Sequence, residues 1–243
     1  VTADAVYRNG RIYTLDTVRP WVQAVAIRDG RYVAVGSDAE VAALAGPDTR
    51  VVDLAGRMAM PGIHDLHVHA TEAGMAALYE CSFPFATPLD GILAKIRECA
   101  ASAPPGTWIR GGQWAAELLA TPRPPTLALL DEAAPDHPVF LIDSTVHNAW
   151  VNSKALALIG VDRDTPDPEG GVIVRDAASG APTGILFDNA AYNAWRKLPV
   201  RSVAQYRDAL AWSIARMNAV GVVAIKDAFA DGYTVAGYVA LDR

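Results

Sequence analysis

Over residues 1–57 apolar and polar positions change places in short runs, the period of half-buried strands rather than of helices. Ala5-Val6-Tyr7 and Arg11-Ile12-Tyr13 flank Asn9-Gly10, while the stretches 24–27 and 31–35 flank Asp29-Gly30. Both dipeptides favour the positive φ angles of a tight turn, so the spacing predicts two hairpins. Ser37, with Glu40 three residues on, forms a capping box for a short helix that Gly46 stops. A further strand over 50–54 leads into Met58-Ala59-Met60-Pro61-Gly62. Residues 1–57 therefore form a small β-rich domain of their own.

From residue 58 the rhythm becomes strand, helix, strand. Strands are predicted over 63–68, 107–111, 138–143 and 221–226. Between them, Thr87 and Pro88 open a helix that carries Ile92, Leu93, Ile96 and Cys99 on one face. Other helices cover 126–133 and 153–159, the latter ended by Gly160. The longest follows Ser202 with Val203, Tyr206, Leu210, Ile214 and Met217 at helical spacing. Residues 168–188 read as an inserted hairpin. Strands alternating with helices predict a parallel α/β fold, and a closed barrel of that kind needs eight strands where four can be counted over 58–243.

Composition narrows the function classes. With 243 residues, 51% of them hydrophobic, the chain can bury a large core and is neither disordered nor fibrous. A net charge of −6 and the lack of any basic run exclude a nucleic-acid groove. No apolar stretch is long enough to span a bilayer, and Val1-Thr2-Ala3-Asp4 lacks the pattern of a signal peptide. Cys81 and Cys99 lie on separate segments and fit no CxxC pattern. They are expected to be buried thiols of a cytoplasmic protein.

The sharpest chemical feature is His67-Val68-His69 at the end of the 63–68 strand. Side chains alternate across a strand, so both imidazoles share one side and form half a coordination shell for a divalent ion such as zinc. Two ordinary histidines near a strand end are the plain alternative. Asp65 shares that face one step deeper and is suited to orienting an imidazole, whereas His64 faces away. His137, in a Pro-flanked turn, is expected to face solvent. The glycine pairs at 111–112 and 170–171 form no phosphate loop, because no GxxxxGK[ST] accompanies them.

Several of these runs together carry a resemblance. Asn9-Gly10-Arg11-Ile12, Asp29-Gly30-Arg31 and Pro61-Gly62 through His69 resemble the amidohydrolase superfamily. Trp114, Pro138-Val139-Phe140, His147 through Ser153, Gly170-Gly171 and Pro182-Thr183-Gly184 are similar to its amidohydrolase-3 branch, typified by N-substituted formamide deformylase and the YtcJ-like proteins. The resemblance implies a metal-bearing TIM-type (β/α)8 barrel, here only about its first four strands, preceded by part of a small β-sandwich. It implies hydrolysis of a non-peptide C–N bond in a small amide-like substrate, with one or two divalent ions bound. It also implies that Lys226 is carboxylated and bridges two ions; burial beside cations disfavours an ammonium, and the neutral amine can take up CO2. A lysine reaching from a strand end to solvent is the alternative. Trp114 and His147 correspond to substrate-side positions, against a packing tryptophan and a loop-holding histidine. Two further histidines and a catalytic aspartate belong to later strands, so the chain is expected to need the C-terminal half of its barrel, and the general base is not among its residues. A single-metal deaminase of the superfamily, or a non-catalytic half-barrel acting in an assembly or homo-oligomer, are the rival readings.

Overall fold

The structure, a computed structural model, describes residues 2–242. It divides into two compact units, one of residues 1–66 and 217–226 and one of 67–216 and 227–243.

The first unit begins with β1 (Ala5–Arg8), β2 (Arg11–Tyr13), β3 (Trp21–Val22), β4 (Ala24–Arg28) and β5 (Arg31–Gly36), followed by α1 (Asp38–Ala42), β6 (Arg50–Asp53) and β7 (Met58–Ala59). They make two sheets. One has the order β5-β4-β1-β6, the other β3-β2-β7. Val6, Ala24, Ala26 and Val41 form a small core under the first. Asp29 and Gly30 take φ of 50° and 71°, and β4 and β5 close on them as an antiparallel hairpin. Ser37 and Glu40 form the reciprocal capping box of α1. The other predicted hairpin does not form. Asn9 does adopt φ 53°, yet β1 and β2 belong to different sheets. The turn is used to change sheets: the Asn9 side chain donates to Asp53 Oδ1 (2.8 Å) and the Gly10 N–H to the Gln23 carbonyl. A Cβ on Gly10 would stand 2.5 Å from Leu54 Cδ1, so glycine is required there by close approach.

The chain continues with β8 (Ile63–Val68), α2 (Ala70–Tyr79), β9 (Cys81–Ser82), α3 (Leu89–Ser102), β10 (Ile109–Trp114), a 3-10 turn, α4 (Leu127–Ala133), β11 (Val139–Asp143), β12 (Asn148–Val151) and α5 (Ser153–Ile159). It ends with β13 (Gly171–Arg175), β14 (Pro182–Asp188), α6 (Asn189–Trp195), α7 (Val203–Ala219), β15 (Val222–Asp227) and α8 (Gly232–Leu241). The second unit is built on one six-stranded sheet of order β13-β14-β12-β11-β10-β9. Its β9, β10 and β11 are parallel neighbours, and the remainder is antiparallel. Val139 and Leu141 pack with Ile92, Leu93 and Ile96 of α3, while Phe140 packs with Ala155, Ile159 and Ala190 on the opposite face. This alternation within one apolar strand shows a sheet buried on both sides. The arms at 171–175 and 182–188 are not a separate excursion, since β14 pairs with β12 and extends the main sheet.

Two differences from the sequence reading concern strands. Residues 148–151 form β12, which the pattern did not announce. And the four predicted barrel strands are not consecutive neighbours: β10 and β11 lie in the large sheet, whereas β8 and β15 form a two-stranded sheet. Within the first unit the Ile63 N–H donates to the Gly221 carbonyl, and within the second the Ala228 N–H donates to the Val68 carbonyl. Each strand thus supplies hydrogen-bond partners that the other's edge requires.

The cysteines also depart from expectation. Cys81 and Cys99 form a disulfide, with Cα atoms 6.1 Å apart. Cys99 continues the Ile92–Ile96 face of α3, which lies against the sheet where Cys81 is 6% exposed. Residues remote in the reading are thereby neighbours. Closing an 18-residue span corresponds to about 3 kcal/mol of chain entropy. Denaturant unfolding with and without reductant should therefore show the reduced chain less stable by about 2–4 kcal/mol, and thiol titration of the unreduced, denatured chain should find no free thiol. Two titratable thiols would contradict the pairing.

Candidate functional site

The strand β8 ends at Val68, and His69 is the N-cap of α2 with non-helical φ −113° and ψ 68°. The His67 and His69 rings are 5.4 Å apart, edge to face, so the two imidazoles are close neighbours. Glu72 sits in the first turn of α2, three residues after His69, the spacing that brings side chains to one side of a helix start. Helix α2 is held against α7. Ser213 Oγ donates to the Ala70 carbonyl (2.7 Å), and a Cβ on Gly74 would meet the Ala209 carbonyl oxygen at 2.0 Å. Only a glycine permits this approach.

The bond from Ala228 N–H to Val68 O (2.8 Å) draws the end of β15 to the end of β8. Asp227 arrives there with both oxygens engaged: Oδ1 accepts from the Phe229 N–H (3.2 Å) and Oδ2 from the Tyr238 hydroxyl (3.0 Å). Ligand atoms of His69, Glu72 and Asp227 lie within 4.8 Å of one another. Donors of a zinc-like ion at 2.0–2.2 Å lie at most about 4.4 Å apart, so a shift of a few tenths of an ångström would let the three share an ion. One imidazole and two carboxylates are a suitable donor set for such an ion.

Electrostatics agree. Burial, followed by the Asp227 carboxylate and then Asp231, raises the Glu72 carboxyl above its ordinary range, against its own backbone hydrogen bond and His69. Glu72 keeps an open side to solvent, yet protein and like charge crowd its carboxylate. The Tyr238 phenol is pushed strongly upward by burial and then by its bond to Asp227, which keeps it a hydrogen-bond donor.

Of the residues singled out by sequence, His67 and His69 come together, but His69 finds its partners in Glu72 and Asp227. Neither carboxylate was anticipated. The His69-x-x-Glu72 spacing at a helix start and the position of Asp227 directly after Lys226 were the available signals. Lys226 is exposed, next to last in β15, and Asp65 is half-buried on β8. His147 is exposed; its Nδ1 lies 3.2 Å from Asp188 Oδ1 and its ring 6.0 Å from that of Tyr192. It follows a loop organised by the buried Asp143, which accepts from the His147 and Asn148 N–H groups, the Thr145 hydroxyl and the Asn148 side chain. Two residues are corrected. Trp114 is fully buried, edge to face with Trp150 and donating from Nε1 to the Leu141 carbonyl, so its indole packs the core and offers no wall to a substrate. His137 is 4% exposed, with Nδ1 2.9 Å from the Thr107 carbonyl, because the segment before β11 is covered rather than open.

The profile of the amidohydrolase family matches residues 50–243. The chain belongs to that family. It is 40% identical over 189 residues to the N-substituted formamide deformylase of Arthrobacter pascens, covering 77% of this chain and 35% of that protein. It is 34% identical over 231 residues to the putative amidohydrolase YtcJ of Bacillus subtilis, covering 95% and 41%. The chain thus spans well under half the length of these two relatives. Its fold is like that of an uncharacterized metal-dependent hydrolase from Pyrococcus horikoshii, with a TM-score of 0.68 and 23% identity over 98% of this chain and 45% of that one.

The raised Glu72 carboxyl carries a pH dependence. An acid whose folded pKa exceeds its unfolded value favours the folded state below the unfolded pKa, and this contribution is lost as pH rises through the folded one. Metal-free Glu72→Gln should therefore melt higher than the parent at neutral pH and converge with it near pH 4. Melting curves from pH 4 to 8 check this, and a variant that melts lower at neutral pH would contradict the crowding of Glu72.

Proposed function

We propose that this amidohydrolase-family chain contributes the first part of the metal centre of a hydrolase acting on a small, amide-like substrate at a non-peptide C–N bond. The observation that carries the reading is the convergence of His69, Glu72 and Asp227 at paired strand ends, with His67 adjacent. Family membership and the resemblance to a formamide deformylase support the bond class. When bound, a divalent ion, zinc being the one suited to this donor set, would supply Lewis acidity and an acidified water.

The chain's own residues hold and orient. His69, Glu72 and Asp227 would bind the ion, with His67 available as a further imidazole. Lys226, carboxylated, would serve a second ion; without that modification a single-ion centre is the form the three-donor group favours. His147, with Asp188 beside it, is proposed to face the substrate. The general base and the remaining ligands would come from barrel strands of the complete protein, in a continuation or partner. The uncovered faces of β8 and β15 support this: Leu66 is 71% and Val223 64% exposed, apolar side chains suited to burial by further strands. No described helix is long and apolar enough to cross a membrane. The disulfide favours an oxidising compartment over the cytoplasm expected from sequence.

The test uses the complete protein, stripped of metal and reloaded with zinc, on a panel of formamides, simple amides and carbamates. Turnover should vanish on stripping and return on reloading. His69→Ala should lose more than about 100-fold, beyond the loss typical of an outer-shell partner. Turnover indifferent to metal and to His69 would refute the proposal.

A further inference from the structure

The Asp227 carboxylate has a partner from a different element. Helix α8 starts at Asp231, whose side chain accepts from the Thr234 N–H (2.8 Å). At Gly237 the helix approaches α7 so closely that a Cβ would lie 2.8 Å from Tyr206 Cβ and 3.1 Å from Leu210 Cδ1. The next residue, Tyr238, reaches back eleven positions and donates its hydroxyl to Asp227 Oδ2. The Phe229 N–H serves the other oxygen. An ionised carboxylate has about four lone-pair sites, so each oxygen retains acceptor capacity with one donor in place. Rotation about the terminal carboxylate bond is otherwise broad and poorly defined. A donor on each oxygen removes that freedom.

The kind of donor matters as well. A lysine or arginine at this place would bind Asp227 more strongly, but would set a positive charge against an incoming cation. A phenol donates without charge, so the negative character of Glu72, Asp227 and the nearby Asp231 is undiminished. Helix α8 contributes none of the three clustered donors. Its closest approach to the cluster is through a neutral hydroxyl.

We propose that Tyr238 is a positioning residue for the cation: its hydroxyl fixes the Asp227 carboxylate in the orientation that presents its remaining lone pairs beside His69 and Glu72. This rests on the metal reading above and extends it to an outer partner. Such partners typically contribute 10–100-fold in metal affinity.

The experiment is a double-mutant cycle on the complete protein with cobalt(II), whose visible spectrum reports ligand geometry. The variants are Tyr238→Phe, Asp227→Ala and both together. Tyr238→Phe keeps the ring and removes only the hydroxyl, and metal-free melting curves verify that each variant is folded. Tyr238→Phe should weaken cobalt binding by about 10-fold or more and alter the cobalt spectrum. In the Asp227→Ala background the same change should have no further effect. Binding within twofold of the parent, or an equal loss in both backgrounds, would overturn the positioning role while leaving the metal site standing. An unaltered protein that binds no cobalt, or an Asp227→Ala variant that binds as tightly as the parent, would overturn the metal reading and this proposal with it.

Discussion

The hydrogen bond from the Ala228 N–H to the Val68 carbonyl is the interaction on which the candidate site depends. It joins the ends of two strands separated by some 150 residues of chain, and the residues flanking it are His69 and Asp227. Neither side chain could select the other directly, because an imidazole and a carboxylate on free loops would find many partners in water. Backbone pairing decides the encounter first. The side chains then inherit a shared location, and Glu72 joins them because α2 starts at His69.

Packing maintains that arrangement at some cost. Three acidic side chains, Glu72, Asp227 and Asp231, gather near one imidazole, and Glu72 responds with a raised pKa. Crowded like charge of this kind is unfavourable in the absence of a cation. Close helix approaches oppose it: α2 meets α7 at Gly74, and α8 meets α7 at Gly237. At both positions any side chain would collide with a neighbour, so these contacts exist only because the residues are glycines. The disulfide between Cys81 and Cys99 secures the α3 side of the sheet in the same unit. The molecule thus invests packing in holding negative charge together, which is the logic of a preformed cation site rather than of a stability device.

The local elements were largely legible in the sequence, because each was written in neighbouring residues. The Ser37–Glu40 capping box, the Asp29-Gly30 hairpin, the helix stopped by Gly160 and the α3 face of Ile92, Leu93 and Ile96 appear where their patterns placed them. What could not be read was pairing between remote segments. Asn9-Gly10 has the turn chemistry of a hairpin but serves a change of sheet, a choice made by Asp53 and Gln23 far along the chain. Cys81 and Cys99 looked unrelated because helical and strand periods conceal that both face one core. Trp114 lay in a family-like motif, yet the bulge in the β10–β11 pairing between Gly112 and Trp114 turns its indole into the core. In the site, the histidine pair was visible from alternation alone. Glu72 and Asp227 were not, since carboxylates are common on surfaces and only the folded chain sets these two beside His69.

The central claim is that His69, Glu72 and Asp227 bind one cation together. Anomalous diffraction at the zinc edge, on crystals of the complete protein, tests it most directly. The account predicts a strong peak within about 2.0–2.2 Å of an imidazole nitrogen of His69 and of carboxylate oxygens from both Glu72 and Asp227. A fully occupied zinc bound by His67 and His69, with both of those carboxylates turned away from it, would contradict the account.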